Sequence, residues 1–142
     1  MPARSVPEVP APRMIHGSRN FGEVLGLRKT GAAIDEASFE ITLSPEHLNR
    51  HGTVHGGVLM AMMDAAGLWA ICDPKDDVAP VAITVSLNCS FVGRSKVEDT
   101  IIRATGKISK KGRRLYFSSV VAEGYPSGQI IATGQGVYSK SH

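Results

Sequence analysis

The sequence predicts an α+β domain in which a curved antiparallel sheet wraps around one long central helix. Three observations predict it. The run GVLMAMMDAAGLWAICD, from Gly57, is made of good helix formers, is apolar on every face and is stopped by Pro74. Everything after Val81 reads as long strand-like segments separated by turn residues. A shorter pair of strand-like runs precedes the helix, between Lys29 and Leu43. A helix apolar all round must be buried all round, and a sheet that curls about it is the economical cover.

Taken in order, the opening MPARSVPEVPAP holds four prolines and no apolar run. We expect residues 1–18 to form a flexible arm and residues 19–142 to form the domain. Asn20 to Leu27 is expected to make a short helix. In the pair of runs that follows, Asp35-Glu36 marks the turn, and Phe39, Ile41 and Leu43 alternate with Glu40 and Thr42 until Pro45 ends the second strand. SPEHLNRHGTVHGG is rich in turn formers and reads as a loop. After the long helix, Val81, Ile83, Val85, Leu87, Cys89 and Phe91 are expected on one strand face, with Ala82, Thr84, Ser86, Asn88 and Ser90 on the other. Two strands, Thr100 to Ser109 and Arg113 to Glu123, flank a tight Lys111-Gly112 turn. Gln129 to Ser139 supplies the last strand, after Pro126-Ser127-Gly128.

Composition bounds the function. At 142 residues, the chain is one domain with a single core. A net charge of +3 and only eight aromatic residues exclude the basic, aromatic-interleaved stripe of a nucleic-acid binder. The longest apolar segment, Gly57 to Cys72, is sixteen residues with Asp64 inside it, too short and too polar for a membrane span. Cys72 and Cys89 form no metal-type cluster, and two isolated thiols suit a reducing cytoplasm. His47, His51 and His55 stand four apart, but Gly52 and Thr53 interrupt any helix that would align them, so no metal site is expected.

Asp64 is the sharpest candidate for chemistry. It sits two turns into an apolar helix, beyond any capping position and with no Lys or Arg within a helical turn. A carboxylate in such surroundings is costly and implies either a structural hydrogen-bond network or a purpose. His55-Gly56-Gly57, at the helix entrance, offers free N–H groups at the positive end of a helix dipole, a setting for an oxyanion; the glycines also serve merely to turn the chain. Lys107, Lys110, Lys111, Arg113 and Arg114 crowd the later hairpin turn. They form either a solvated tip or a landing site for the phosphates of an anionic cofactor, to which Arg94 and Lys96 add.

Asn49, Gly52, His55-Gly56-Gly57 and then Asp64 in the next helix together resemble the hotdog-fold acyl-CoA thioesterases, nearest the phenylacetic-acid-degradation branch. TVSLNCSFVGRSKVEDTI, from Thr84, and the closing KGRRLYFSSVVAEGYPSGQIIATGQGVYSK are similar to that branch as well, so the resemblance spans roughly Asn20 to Lys140. It implies hydrolysis of an acyl-CoA thioester without a cofactor. Asp64 would act as general base or nucleophile, the Gly56 N–H as oxyanion donor beside His55, Asn49 as holder of the thioester or its water, and Thr84 as an aid to that water. Gly57, Lys110, Lys111, Arg113 and Arg114 would bind substrate.

Eight residues separate Gly56 from Asp64, about 12 Å along a helix. One carbonyl cannot reach both in the same chain. The resemblance likewise implies sites at a homodimer interface, within a dimer of dimers. A hotdog hydratase or dehydratase using His55 with Asp64, and a non-catalytic acyl-CoA-binding hotdog protein, are the alternatives. The Asn49 and double-glycine context disfavours the first and the retention of Asp64 the second. Met60, Met63, Leu68 and Trp69 are candidates to shape an acyl pocket, or simply core residues.

Overall fold

The computed structural model describes residues 20–75 and 78–140; the expected arm, residues 1–18, lies outside them. Asn20 caps a five-residue helix, α1 (Phe21–Leu25), through its side-chain oxygen, and Gly26 ends it in the left-handed conformation at φ 73°. A hairpin follows, β1 (Arg28–Ala33) and β2 (Glu36–Thr42), turning at Asp35, which itself has φ 59°. As the alternation predicts, Phe39 and Ile41 point into the core, with Ala37 beside them. Pro45–His47 forms one turn of 3₁₀ helix, and the rest of the expected loop leads to α2 (Gly56–Trp69). Four long strands complete the chain: β3 (Ala82–Phe91), β4 (Ile101–Lys111), β5 (Leu115–Tyr125) and β6 (Ile130–Lys140).

The six strands form one antiparallel sheet in the order β1-β2-β4-β5-β6-β3, and α2 packs on its inner face. Val58, Leu59, Met62, Met63 and Ala66 of the helix meet Ile41, Ile102, Ala104, Val120 and Ala132 of the strands. Each large side chain so buried contributes about 1.5–3 kcal/mol. Gly106 of β4 lets the two layers close up: a Cβ there would lie 2.4 Å from the Ala66 carbonyl oxygen. No helix among the described residues is long and apolar enough to cross a membrane.

Four local expectations are corrected. Helix α2 stops at Trp69, four residues short of Asp73, because its last carbonyls are taken by groups outside the helix ladder. It is also not buried all round: Met60, Ala61, Asp64, Ala65 and Leu68, spaced at helical intervals, stay half-buried on one stripe. The β4–β5 turn falls at Gly112–Arg114 rather than Lys111-Gly112, because a bulge between Ile108 and Lys110 carries β4 two residues further. Strand β3 does not keep one alternation. A bulge between Thr84 and Ser86 inserts Val85, so Thr84 faces α2 before it while Leu87 and Cys89 pack on the core after it.

The carboxyl end of α2 carries no glycine cap. Tyr116, fully buried on β5, donates to the Leu68 carbonyl at 2.7 Å, and buried Ser118 donates to that of Gly67 at 2.8 Å. The Cys72 N–H takes the Trp69 carbonyl at 2.9 Å. These are carbonyls that an isolated helix leaves unpaired. Ser118→Ala should therefore lower unfolding free energy by about 1–3 kcal/mol, the cost of a buried acceptor left without its donor. Denaturant titration measures it, and an unchanged midpoint would show that the Ser118 hydroxyl does not hold the helix end.

Candidate active site

The loop before α2 is organised by Asn49. Its side-chain oxygen accepts from His51 N–H at 2.9 Å and Thr53 N–H at 3.2 Å, and its amide nitrogen donates to the Thr53 hydroxyl at 2.8 Å. Gly52, at φ 78°, makes the reversal that these bonds close. One amide hydrogen of Asn49 is not used by the loop. His47 is buried. Its Nε2 donates to the Leu25 carbonyl at 2.7 Å while Nδ1 accepts from Ser44 N–H at 3.1 Å, which ties the loop to α1.

His55 caps α2. Its Nδ1 accepts the Gly57 N–H at 2.8 Å, and its carbonyl receives the N–H groups of Val58 and Leu59. Gly57 is what lets the imidazole fold back: a Cβ there would sit 3.0 Å from Nδ1. Among the described residues the Gly56 N–H donates to nothing. The Gly56 residue lines a cavity of about 300 Å³, together with Asn49, Thr53, Phe91, Arg94 and Ile131. So Asn49 and Gly56 share one cavity, His55 holds the helix end in shape, and Gly57 has its N–H engaged.

Asp64 lies elsewhere. Its Oδ1 accepts from the Thr84 hydroxyl of β3 at 2.7 Å, and it lines a separate cavity of about 360 Å³ between α1 and α2. The bulge in β3 is what aims Thr84 at it. Around Asp64 the weakly acidic groups stay protonated. Burial first, and the Asp64 charge second, push the Cys89 thiol and the Tyr116 and Tyr138 phenols above their ordinary values. Tyr138 also donates to the Asp64 backbone carbonyl at 3.4 Å.

The basic residues divide into two sets. Lys110, Arg113 and Arg114 line a groove at the β4–β5 tip, beyond the Leu68 end of α2. Lys111 pairs with Asp35 at 2.5 Å, and Lys107 is exposed further down β4. Arg94 instead sits in the Gly56 cavity, and Arg94 and Lys96 line the groove beside it, at the opposite end of the helix. Sequence order gave no hint of that separation.

Asp99, not singled out from the sequence, fixes this second set. It accepts from Lys96 N–H at 2.8 Å, and from the Ser127 N–H and hydroxyl at 2.8 and 2.7 Å. Burial opposes its charge, but these hydrogen bonds outweigh burial and hold its carboxyl below the usual value. The signal was an Asp preceding a strand, opposite a Ser-Gly turn, and only the pairing of β4 with β5 makes it visible.

Comparison with known proteins accords with this geometry. The thioesterase superfamily model matches residues 51–123, from the Asn49 loop through α2 to β5. Acyl-coenzyme A thioesterase 13 of Homo sapiens is 31% identical over 120 residues, 83% of each chain, and the Mus musculus protein of that name is 30% identical over 105 residues, 73% of this chain and 72% of the other. Among solved structures, zebrafish thioesterase superfamily member 2 superposes with a TM-score of 0.73 at 27% identity, covering 88% of this chain and 89% of the other. The E. coli PaaI protein of the phenylacetic acid degradation operon shares the fold, with a TM-score of 0.72 at 18% identity over 85% and 83% of the chains. The chain belongs to the thioesterase superfamily: it is a hotdog-fold thioesterase, a hydrolase of thioesters.

Proposed function

We propose that the protein hydrolyses acyl-CoA thioesters at sites shared between two subunits. The observation that carries this reading is the split just described: Gly56 and Asn49 line one cavity, and Asp64 with Thr84 stands away from it along the same rigid helix. About 12 Å of helix separates the halves. A second copy running antiparallel brings the Asp64 half of one chain to the Gly56 half of the other.

The edge of the sheet supports such a copy. Strand β3 is terminal in the strand order, ten residues long, and bears exposed Val81, Ile83 and Phe91 beside or within it. An apolar edge of that length is a template for pairing. In this reading, pairing β3 with its two-fold mate also covers the half-open stripe of α2, and the assembly is a dimer of dimers.

In this reading the Gly56 N–H, unpaired and at the positive end of α2, receives the oxyanion that forms when the thioester carbonyl is attacked. Asp64 takes the proton of the attacking water, or attacks directly to give a mixed anhydride. Thr84 orients the carboxylate or the water, the spare amide hydrogen of Asn49 holds the substrate, and His55 fixes the helix end. CoA leaves as the thiol. The Lys110, Arg113 and Arg114 groove lies toward the Asp64 end of its own chain, so its cations accompany the acid rather than the oxyanion donor. Residues 19–142 make the catalytic domain, and the two free thiols suit a cytoplasmic setting.

Asp64→Asn should retain the fold and lower kcat by roughly 10²–10⁴, measured as thiol release from an acyl-CoA. Turnover at the wild-type rate would make Asp64 structural. Co-expressing Asp64→Ala with Asn49→Ala chains should restore about a quarter of wild-type activity, because random pairing makes half the dimers mixed and each holds one intact site. No recovery in mixed dimers verified by dual-tag pull-down would mean that each site is built within one chain. Arg113→Ala with Arg114→Ala should raise KM for acyl-CoA and barely alter a thioester that lacks the nucleotide; equal effects on both would return the hairpin to a solvated turn.

A further inference from the structure

We propose that Arg94 is a further catalytic residue, its guanidinium set against the thioester carbonyl in the Gly56 cavity, and that Asp99 is the positioning residue that holds it there. The proposal rests on the hydrolytic site described above and adds two residues to it. Among the described residues lining that cavity, Arg94 alone carries a charge, and no Asp or Glu is present to cancel it. Arg94 has no ion-pair or hydrogen-bond partner among the described residues, whereas Arg103 and Lys111 are paired.

The rest of the lining is rich in donors. The Gly56 N–H and one amide hydrogen of Asn49 are unspent. The Thr53 hydroxyl accepts from Asn49, which leaves its own hydrogen to give, and half-buried Ser95 has no partner among the described residues. A cavity with several donors, one cation and no carboxylate favours an anion. The anion that hydrolysis makes is the oxyanion on the attacked carbonyl, beside the Gly56 N–H. The Asp64 cavity is the reverse, with Glu23 and Asp64 in its lining and no Lys or Arg. In the proposed dimer the hairpin cations arrive with the acid of the second chain and meet the phosphates, which leaves Arg94 to the carbonyl.

The backbone around Arg94 is fixed on both sides. Before it, the N–H groups of Val92 and Gly93 both go to the Ile131 carbonyl, at 2.8 and 3.0 Å, and Ile131 itself lines the cavity. Gly93 has no room for a side chain, because a Cβ there would strike the Ile130 carbonyl oxygen. After it stands Asp99, 7% exposed. Its carboxylate takes the Lys96 N–H at 2.8 Å and the Ser127 N–H and hydroxyl at 2.8 and 2.7 Å, and its own N–H returns to the Lys96 carbonyl at 2.9 Å. Gly124 of β5 makes space for that carboxylate, since a Cβ there would collide with Oδ2. The connection from β3 to β4 is thus knotted to the β5–β6 turn. An arginine on a fixed backbone has less freedom to lose when it meets the carbonyl than one on a loose loop.

The test compares wild type with Arg94→Gln, Arg94→Lys, Asp99→Asn and Ser127→Ala. Each is assayed on one acyl-CoA and on the N-acetylcysteamine thioester of the same acid, which lacks the phosphates. Arg94→Gln should lower kcat about tenfold on both substrates and leave either KM within about twofold, a smaller loss than that of a direct oxyanion donor because the arginine is exposed. Arg94→Lys keeps the charge and should recover most of that rate. Asp99→Asn should reproduce the fall, with little further loss when combined with Arg94→Gln. Ser127→Ala removes one of the three bonds and should give a smaller fall of the same kind, which keeps the test open if Asp99→Asn does not fold. A raised KM with kcat intact overturns the proposal: on the acyl-CoA alone it puts Arg94 on the phosphates, and on both substrates it makes Arg94 a ground-state contact. Wild-type turnover by Arg94→Gln, or losses at Asp99 that add fully to those at Arg94, overturn it too. Asp64→Asn tells the two levels apart, because its inactivity beside an active Arg94→Gln leaves the site standing and removes this inference alone. Titration with acetate, followed by the amide shift of Gly56, needs no turnover. Binding that weakens about tenfold in Arg94→Gln supports the role, and equal affinity in both proteins, or no shift in wild type, overturns it.

Discussion

Helix α2 is buried over most of its surface, so the backbone groups that its ladder leaves unpaired must find partners inside the protein. Its two ends meet that demand differently. At the carboxyl end three carbonyls are taken, by Tyr116, Ser118 and the Cys72 N–H, and the sheet is thereby keyed to one position along the helix. At the amino end His55 Nδ1 accepts the second N–H of the helix and leaves the first, that of Gly56, without a partner among the described residues, at a residue that lines a cavity. The closed end fixes where the helix lies, and the open end leaves the donor that the proposed mechanism uses. A capping Asp at position 55 would also satisfy the Gly57 N–H, but an imidazole does so without placing a carboxylate beside the proposed oxyanion donor.

The same rigidity sets the constraint on assembly. A helix cannot bend eight residues back on themselves, so a donor at its first position and an acid in its third turn serve different carbonyls unless a second chain intervenes. Strand β3 is terminal in the sheet, and one stripe of α2 stays half-buried. In the proposed dimer these two features, each a liability in an isolated chain, complete one another.

Much of this was legible in the sequence, for identifiable reasons. The α+β architecture followed from patterns that depend on neighbours along the chain: the all-apolar helix, the alternation of Phe39 and Ile41, the turn formers between strands. Asp64 stood out because a carboxylate among Met62, Met63, Ala65 and Ala66 has no local explanation. What was not legible depends on pairing across the sheet. The bulge at Val85 leaves no trace in a strand whose residues alternate cleanly, yet it decides that Thr84 faces Asp64. The early stop of α2 comes from hydroxyls nearly fifty residues away. Arg94 and the hairpin cations look like one basic set in sequence and are parted by the length of a helix in space. Asn49 was read as a substrate contact, and the structure adds that most of its hydrogen-bonding capacity builds its own loop.

The electrostatics around α2 follow from where these pieces fall. Near Asp64, the titratable neighbours from β3, β5 and β6 are a thiol and two phenols, all held protonated by burial and by the carboxylate itself. They supply polarity without charge, so the negative charge of Asp64 is neither paired nor crowded by a second anion from those strands. One set of cations gathers at the hairpin and another at the Arg94 groove, at the two ends of the helix. In the proposed mechanism Asp64 then acts without a cation from those strands at its side, and the Gly56 N–H, with Arg94 lining the same cavity, meets the developing oxyanion at the other end of the helix.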